Sequence, residues 1–312
     1  MRRLALVNAN IITLSAEGPT AEGLLIEGDR ISAVGPRQEI QPLLAGAEVL
    51  DLAGATVLPG FIDCHVHTLW TGMAAQGADL IGAKTVHDLL NRLADWNTSH
   101  PGRTWLFGNG YDESVIAEGR APNMHELDSV SSTRPILIRQ RGGHSCVVNT
   151  CGFHLLNLPA PTNGIVRSPS GKPTGLLLSD ALPLALARTG AELDPAMRED
   201  ALRRACEIAL ARGVTTLHAL QRADPRDPET IEILRRPDWP VRIVVYPTTL
   251  DAAWAQRQGF TRVGGCILLD GALEAHTAAL FAPYTDDPAT HGQLYLADRD
   301  LQDFIEIGRA HV

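Results

Sequence analysis

The sequence predicts an α/β fold: a parallel sheet whose strands alternate with helices, preceded by a small β-rich segment and interrupted by an inserted subdomain. Three observations lead there. From about residue 195 helical and strand patterns alternate, the grammar of βαβ units. Residues 4 to 58 instead alternate short apolar runs with turn signals at Gly28-Asp29 and Ala53-Gly54. Residues from about 70 to 190 separate an early apolar strand from the next parallel one, too long a stretch for a plain crossover.

The elements follow in order. Leu4 to Leu14, Gly23 to Glu27, Arg30 to Val34, Glu48 to Leu52 and Thr56 to Leu58 read as strands of an antiparallel sheet or sandwich over residues 1–58. The apolar run Val57 to Ile62 leads into Asp63-Cys64-His65-Val66-His67 and opens the larger domain, residues 59–312. Within the insertion, about 70–190, a helix is expected from Thr85 to Trp96, with strands at Trp105 to Phe107 and Pro135 to Arg139. Loops are expected around Tyr111 and Gly142. Asp194-Pro195 starts a helix as N-cap and first-turn proline; Ala201, Leu202, Ala205 and Ile208 form its stripe and Gly213 ends it. Val214 to His218 is the next strand. A short helix from Asp227 to Arg235 then leads into the strand Val241 to Tyr246, and a helix from Leu250 to Gln258 into the strand Cys266 to Asp270. A last helix begins at Asp298, with Leu301, Phe304 and Ile305 in its stripe.

Composition narrows the function. The 312 residues are 45% hydrophobic, enough for a sizeable core, and carry a formal net charge of −9. That charge, with no Lys or Arg run, argues against a nucleic-acid or anionic membrane surface and favours a small-molecule substrate. No signal peptide or membrane span is visible near the N-terminus, and five Cys without a CxxC pair suit reduced thiols, so a cytoplasmic location is expected. No Gly-rich phosphate loop follows a strand, which disfavours a nucleotide-binding fold.

His65 and His67 carry the chemistry. Strand side chains alternate with period 2, so both imidazoles fall on one face and point at one spot. Neutral imidazole is the commonest side-chain ligand of zinc, although an HxH by itself is also common as a satisfied loop pair. Asp63 shares that face and is a candidate acceptor for an imidazole N–H. His144 sits in the loop Gly142-Gly143-His144-Ser145, whose glycines permit close backbone approach. Tyr111, Asp112 and Glu113 form a polar cluster that either faces substrate or caps a helix. Asp270 and His276 contact substrate or brace a loop, and His218 has the same two readings.

The segment 57–63 with His65 and His67, GNGYDES at 108–114, RGGHSCVVNT at 141–150, GVTTLHA at 213–219 and LDGALEAHTAALFAPYTDDPATHG at 269–292 stand in order. With these motifs the chain resembles the amidohydrolase superfamily, and within it the N-substituted formamide deformylase-like metal-dependent hydrolases of amidohydrolase family 3. The resemblance implies a (β/α)8 TIM-like barrel, of which about the first four βα units are present, with a small N-terminal β-sandwich. It implies one or two divalent ions, expected to be zinc, held by His65 and His67. It also implies substrate contacts from Tyr111, His144, Asp270 and His276. At the position where this branch carries a bridging Lys, four residues before Asp270, stands Cys266, read either as a replacement metal ligand or as a buried structural Cys. The strand-8 Asp that serves as base in the family is expected beyond this chain, and His311 is not expected to replace a missing ligand.

The implied activity is hydrolysis of non-peptide carbon–nitrogen bonds in amides, formamides or cyclic amides by metal-activated water. The alternative is a truncated, inactive fragment or scaffold that needs a partner chain to complete its barrel. A homo-oligomer is a further expectation.

Overall fold

The computed structural model describes residues 2–101, 105–191, 195–222 and 228–309; Asp194, Asp227 and His311 lie outside them. The chain divides into two compact units, Met1–Phe61 and Ile62–Val312.

In the first unit a four-stranded sheet runs in the order Arg30–Gly35, Gly23–Glu27, Arg3–Val7, Glu48–Asp51. A three-stranded sheet has the order Thr20–Ala21, Asn10–Ile12, Thr56–Val57. Gly28, at φ +66°, turns the hairpin between the strands that end at Glu27 and begin at Arg30. The expected all-antiparallel pairing is corrected in one respect. Glu48–Asp51 and Thr56–Val57 each pair parallel to their neighbours. Both return after long connections, which lets the chain re-enter in the same direction. Ala9, Ile11, Ala21 and Leu24 form this unit's buried cluster.

The second unit holds two sheets. One has six strands in the order Ile165–Arg167, Pro173–Leu177, Cys146–Val148, Ile136–Gln140, Leu106–Tyr111, Ala78–Asp79. Leu106–Tyr111 pairs parallel to both Ile136–Gln140 and Ala78–Asp79, and the remaining pairs are antiparallel. The side chain of Asn149, fully buried, ties the sheet together: Oδ1 accepts from the N–H of Ile136 and Gly152, while Nδ2 donates to the carbonyls of Ser131 and Arg134.

The other sheet carries the HxH. Its order is Arg242–Thr248, Val214–Arg222, Phe61–Val66, and the first two strands pair parallel from Thr216 opposite Arg242 to Arg222 opposite Thr248. The helix Pro195–Leu210 precedes Val214–Arg222, and Gly213 at φ +75° turns the chain between them. The helix Thr68–Ala75 follows directly on the HxH and packs against Pro195–Leu210. Leu69, Met73, Ala201, Leu202 and Cys206 from this pair join Val66, Leu217 and Ala219 in one buried cluster. These elements form a partial barrel-like sheet with its helices.

Three boundaries differ from the sequence expectation. Tyr111 ends a strand rather than lying in a loop. His218 sits inside Val214–Arg222, opposite Val244, not at a strand end. Cys266 to Asp270 forms no ladder: Asp270 makes one isolated antiparallel bridge to Leu294. Gly264 and Gly265, at φ +88° and +89°, turn the chain out of extended register just after Gly264 N–H donates to Pro247 O. The apolar run that suggested a buried strand is correspondingly open, with Leu268 51% and Leu269 43% exposed.

Candidate metal centre

The strand Phe61–Val66 delivers His65 and His67 to one spot, and the loop after Gly264-Gly265 brings Cys266 to the same place. The nearest ligand atoms of His65, His67 and Cys266 all lie within 4.8 Å of one another. Sγ of Cys266 is 3.6 Å from Nε2 of His67, and the two imidazole centroids are 5.7 Å apart with their planes at 82°.

This donor set fits a divalent ion. Tetrahedral zinc with imidazole and thiolate ligands separates neighbouring donors by about 3.5 Å. The Cys266–His67 distance already matches that spacing, and the rest of the group needs only a small contraction. The ring of His67 is also oriented for ligation: Nδ1 lies 3.1 Å from the main-chain carbonyl of Leu220, so its proton is placed there and Nε2 keeps its lone pair toward Cys266. Although part of its ring is exposed, the protein around His67 desolvates it and lowers its pKa; the Leu220 carbonyl opposes that shift, and the like charges of His65 and Arg139 add to it. His67 is thereby held in the neutral form that binds metal. Burial raises the Cys266 thiol, so a thiolate there depends on a nearby positive charge.

The structure places the remaining sequence-predicted residues as follows. The Oδ1 of Asp63 accepts from the main-chain N–H of His65 at 3.1 Å, which fixes the strand end on which the candidate ligand rides. Tyr111 is fully buried, and its hydroxyl is 3.0 Å from Ser145 Oγ. Burial pushes its pKa far above the ordinary phenol value, and a ring without accessible surface reaches no substrate in this conformation. We expect Tyr111→Phe, which leaves the buried Ser145 hydroxyl without its partner, to destabilise the fold by about 1–2 kcal/mol in chemical denaturation. Asp270 accepts from Ala279 N–H at 3.0 Å and so closes the loop 270–279.

His144 lies in a turn held from two sides. Gly143, at φ +78°, donates its N–H to Gln140 O, and its carbonyl accepts from Arg139 Nη2 at 3.3 Å. His276 Nε2 sits 2.9 Å from Asp286 Oδ2, with its ring against Tyr284. It lines a cavity of about 750 Å³ shared with Asp112, Glu113, Gln140, Arg141 and Asp286.

Two contributors escaped the sequence reading. The Leu220 carbonyl is a backbone atom 153 residues from its partner, and no side chain announces it. Arg139 is legible in hindsight as the single cation of the apolar strand Ile136–Gln140. Its guanidinium stacks 4.9 Å over Trp70, two residues into the helix after the HxH.

Comparisons with known proteins bear on the family and the fold. The chain is 35% identical over 192 residues to an N-substituted formamide deformylase of Arthrobacter pascens, covering 59% of this chain and 35% of that protein. The fold matches an uncharacterized metal-dependent hydrolase from Pyrococcus horikoshii, with a TM-score of 0.73 and 26% identity. That match covers 99% of this chain and 63% of the other. A second uncharacterized metal-dependent hydrolase, from Pyrococcus furiosus, matches at TM-score 0.71 and 26% identity over 99% of this chain and 65% of its own. The chain thus spans less than two thirds of the length of each of these relatives. Among the described residues no helix is long and apolar enough to cross a membrane. With the amidohydrolase family model matching residues 48–312, this chain belongs to the amidohydrolase family.

Proposed function

We propose that this protein is a metal-dependent hydrolase of non-peptide carbon–nitrogen bonds in small amides, formamides or cyclic amides. The convergence of His65, His67 and Cys266 carries the reading. Two imidazoles and one thiolate suit a single zinc ion better than magnesium or calcium, which prefer all-oxygen shells. When bound, such an ion supplies a water of lowered pKa and polarises a carbonyl.

The chain's own residues set the stage. The Leu220 carbonyl fixes the His67 tautomer, Asp63 anchors the strand end at His65, and Arg139 holds the turn that presents His144. On this reading the substrate is held by the residues that the resemblance implies for it, among them His144 and His276. The resemblance to the formamide deformylase supports the bond class, and the acidic net charge supports a small-molecule substrate over a nucleic acid.

Cobalt substitution tests the donor set. The Co(II) form of the wild-type chain should show an intense near-ultraviolet thiolate-to-metal absorption that Cys266→Ser abolishes, while the weaker visible bands persist through the two imidazoles. An unchanged spectrum in Cys266→Ser would remove Cys266 from the site.

One observation favours a second reading, in which turnover needs a partner chain. The strand Arg242–Thr248 is an edge of its three-stranded sheet, with no ladder on its far side among the described residues. The readings part on activity: a folded, zinc-loaded chain that hydrolyses nothing in an amide and formamide panel supports the second.

A further inference from the structure

We infer that Arg139 is the recognition point for a carboxylate on the substrate, so that the hydrolysis proposed above acts on amides that also carry an anionic group. The reaction rests on that reading, whereas the recognition rests on Arg139.

The charge of Arg139 has no counter-ion. Among the described residues no carboxylate reaches it: the one hydrogen bond of its side chain runs from Nη2 to the Gly143 carbonyl, a neutral acceptor. Burial pulls its pKa below the ordinary guanidinium value, and the one group that opposes this is the thiol of Cys146, opposite it on the neighbouring strand. That thiol is itself neutral, because burial pushes its pKa up to about 12. A desolvated cation without an anion is unfavourable, and an anionic ligand relieves it.

The guanidinium is also held still with one end free. Its face stacks 4.9 Å over Trp70, and Nη2 is tied to Gly143. Nε is sealed from solvent and unpaired, so it takes no ligand. Nη1 makes no hydrogen bond and is not among the sealed atoms, which leaves it open to an incoming oxygen. A planar donor fixed beforehand by stacking and by one hydrogen bond loses little freedom when it binds a carboxylate.

The fold sets Arg139 beside the candidate metal centre. Trp70 stands in the first turn of Thr68–Ala75, the helix capped by His67, and the N–H of Thr71 donates to the His67 carbonyl. The charge of Arg139 is close enough to lower the His67 pKa. This cation and a divalent ion held by His65, His67 and Cys266 would repel each other, which an anion lying near both relieves. Polarising the scissile carbonyl is the role of the metal in that reading, which leaves Arg139 for a permanent anion elsewhere on the substrate.

Pentanoate, 1-pentanol and n-pentylammonium titrated calorimetrically into the full zinc-loaded chain test this without turnover. Pentanoate is expected to bind at least about tenfold more tightly than the alcohol, about 1.4 kcal/mol, and the ammonium not at all. Arg139→Gln should bring pentanoate down to the affinity of the alcohol while the chain retains its zinc. Equal binding of pentanoate and alcohol by the wild type overturns the proposal. An unaltered preference in Arg139→Gln does so too, because it assigns the carboxylate to the zinc. If that variant does not fold, the double variant His65→Ala, His67→Ala decides in its place: without zinc it should still prefer pentanoate, and loss of the preference overturns the proposal. Pentanoate binding by a zinc-loaded chain that cleaves neither N-pentylformamide nor the formamides of 3-aminopropanoate, 4-aminobutanoate and 5-aminopentanoate keeps the subsite and sinks the hydrolase reading; cleavage of all four at equal efficiency does the reverse.

Discussion

Gly72→Ala should destabilise the second unit by about 3 kcal/mol or more, the size expected when a methyl group is forced into a closed helix contact. Gly72 lies in the middle of Thr68–Ala75, on the face buried against Pro195–Leu210. A Cβ there would fall well inside van der Waals contact of the Ala201 carbonyl oxygen, carbonyl carbon and Cα, all backbone atoms that cannot rotate away. The two helices must separate, and with them the cluster of Leu69, Met73, Leu202 and Cys206. Because Thr68–Ala75 begins immediately after His67, separation also displaces the ligand pair, and zinc affinity should fall along with stability. Urea unfolding monitored by circular dichroism, with and without zinc, measures both. An unfolding free energy within 1 kcal/mol of wild type, a margin near the ordinary scatter of surface substitutions, would show that the helices do not meet this closely.

The double variant His65→Ala, His67→Ala should lose zinc binding outright and leave the apo fold intact, since both side chains are exposed at the strand end and belong to no buried cluster. Removal of a mere supporting partner costs roughly 10–100-fold in metal affinity, and loss of a direct ligand costs more. Saturating zinc at 100 times its dissociation constant stabilises a protein by about 2.7 kcal/mol. For a chain of this size that corresponds to a melting-temperature rise on the order of 5 °C. We expect that rise in the wild type and none in the double variant. His67→Ala should be the more damaging single change, because His67 alone has its tautomer fixed by the Leu220 carbonyl and its Nε2 beside Cys266.

The HxH was readable because strand geometry is local. A period of 2 suffices to put His65 and His67 on one face, and the apolar run before them marks the strand. The helix Pro195–Leu210 and the parallel pair Val214–Arg222 and Arg242–Thr248 were readable for the same reason, since stripe, breaker and apolar run succeed one another in sequence.

What escaped depends on neighbours distant in sequence. Gly108 and Gly110 look like turn residues, yet they continue the strand Leu106–Tyr111: a Cβ at Gly108 would meet Leu80, Ile138 and Leu93, and one at Gly110 would meet Ile81. Close overlay by those side chains at Gly108, and a φ of +90° at a β-bulge for Gly110, account for the glycines without a chain reversal, and the strand carries Tyr111 into the core. Ile267 to Leu269 is apolar enough for a buried strand, but a strand exists only where a ladder partner does, and the paired left-handed glycines before it lead the chain elsewhere. Cys266 nonetheless reaches His67, so its place in the site follows from the path of a loop and not from the strand that the sequence suggested.

The most direct test of the central claim is zinc content. The purified chain would be loaded with zinc, dialysed exhaustively and measured by plasma mass spectrometry beside His65→Ala, His67→Ala and Cys266→Ala variants. The structure predicts one zinc per chain in the wild type, none in the double histidine variant and a reduced, dialysable amount without Cys266. A folded wild type that retains no zinc, or equal zinc in every variant, would contradict a metal centre at these three residues.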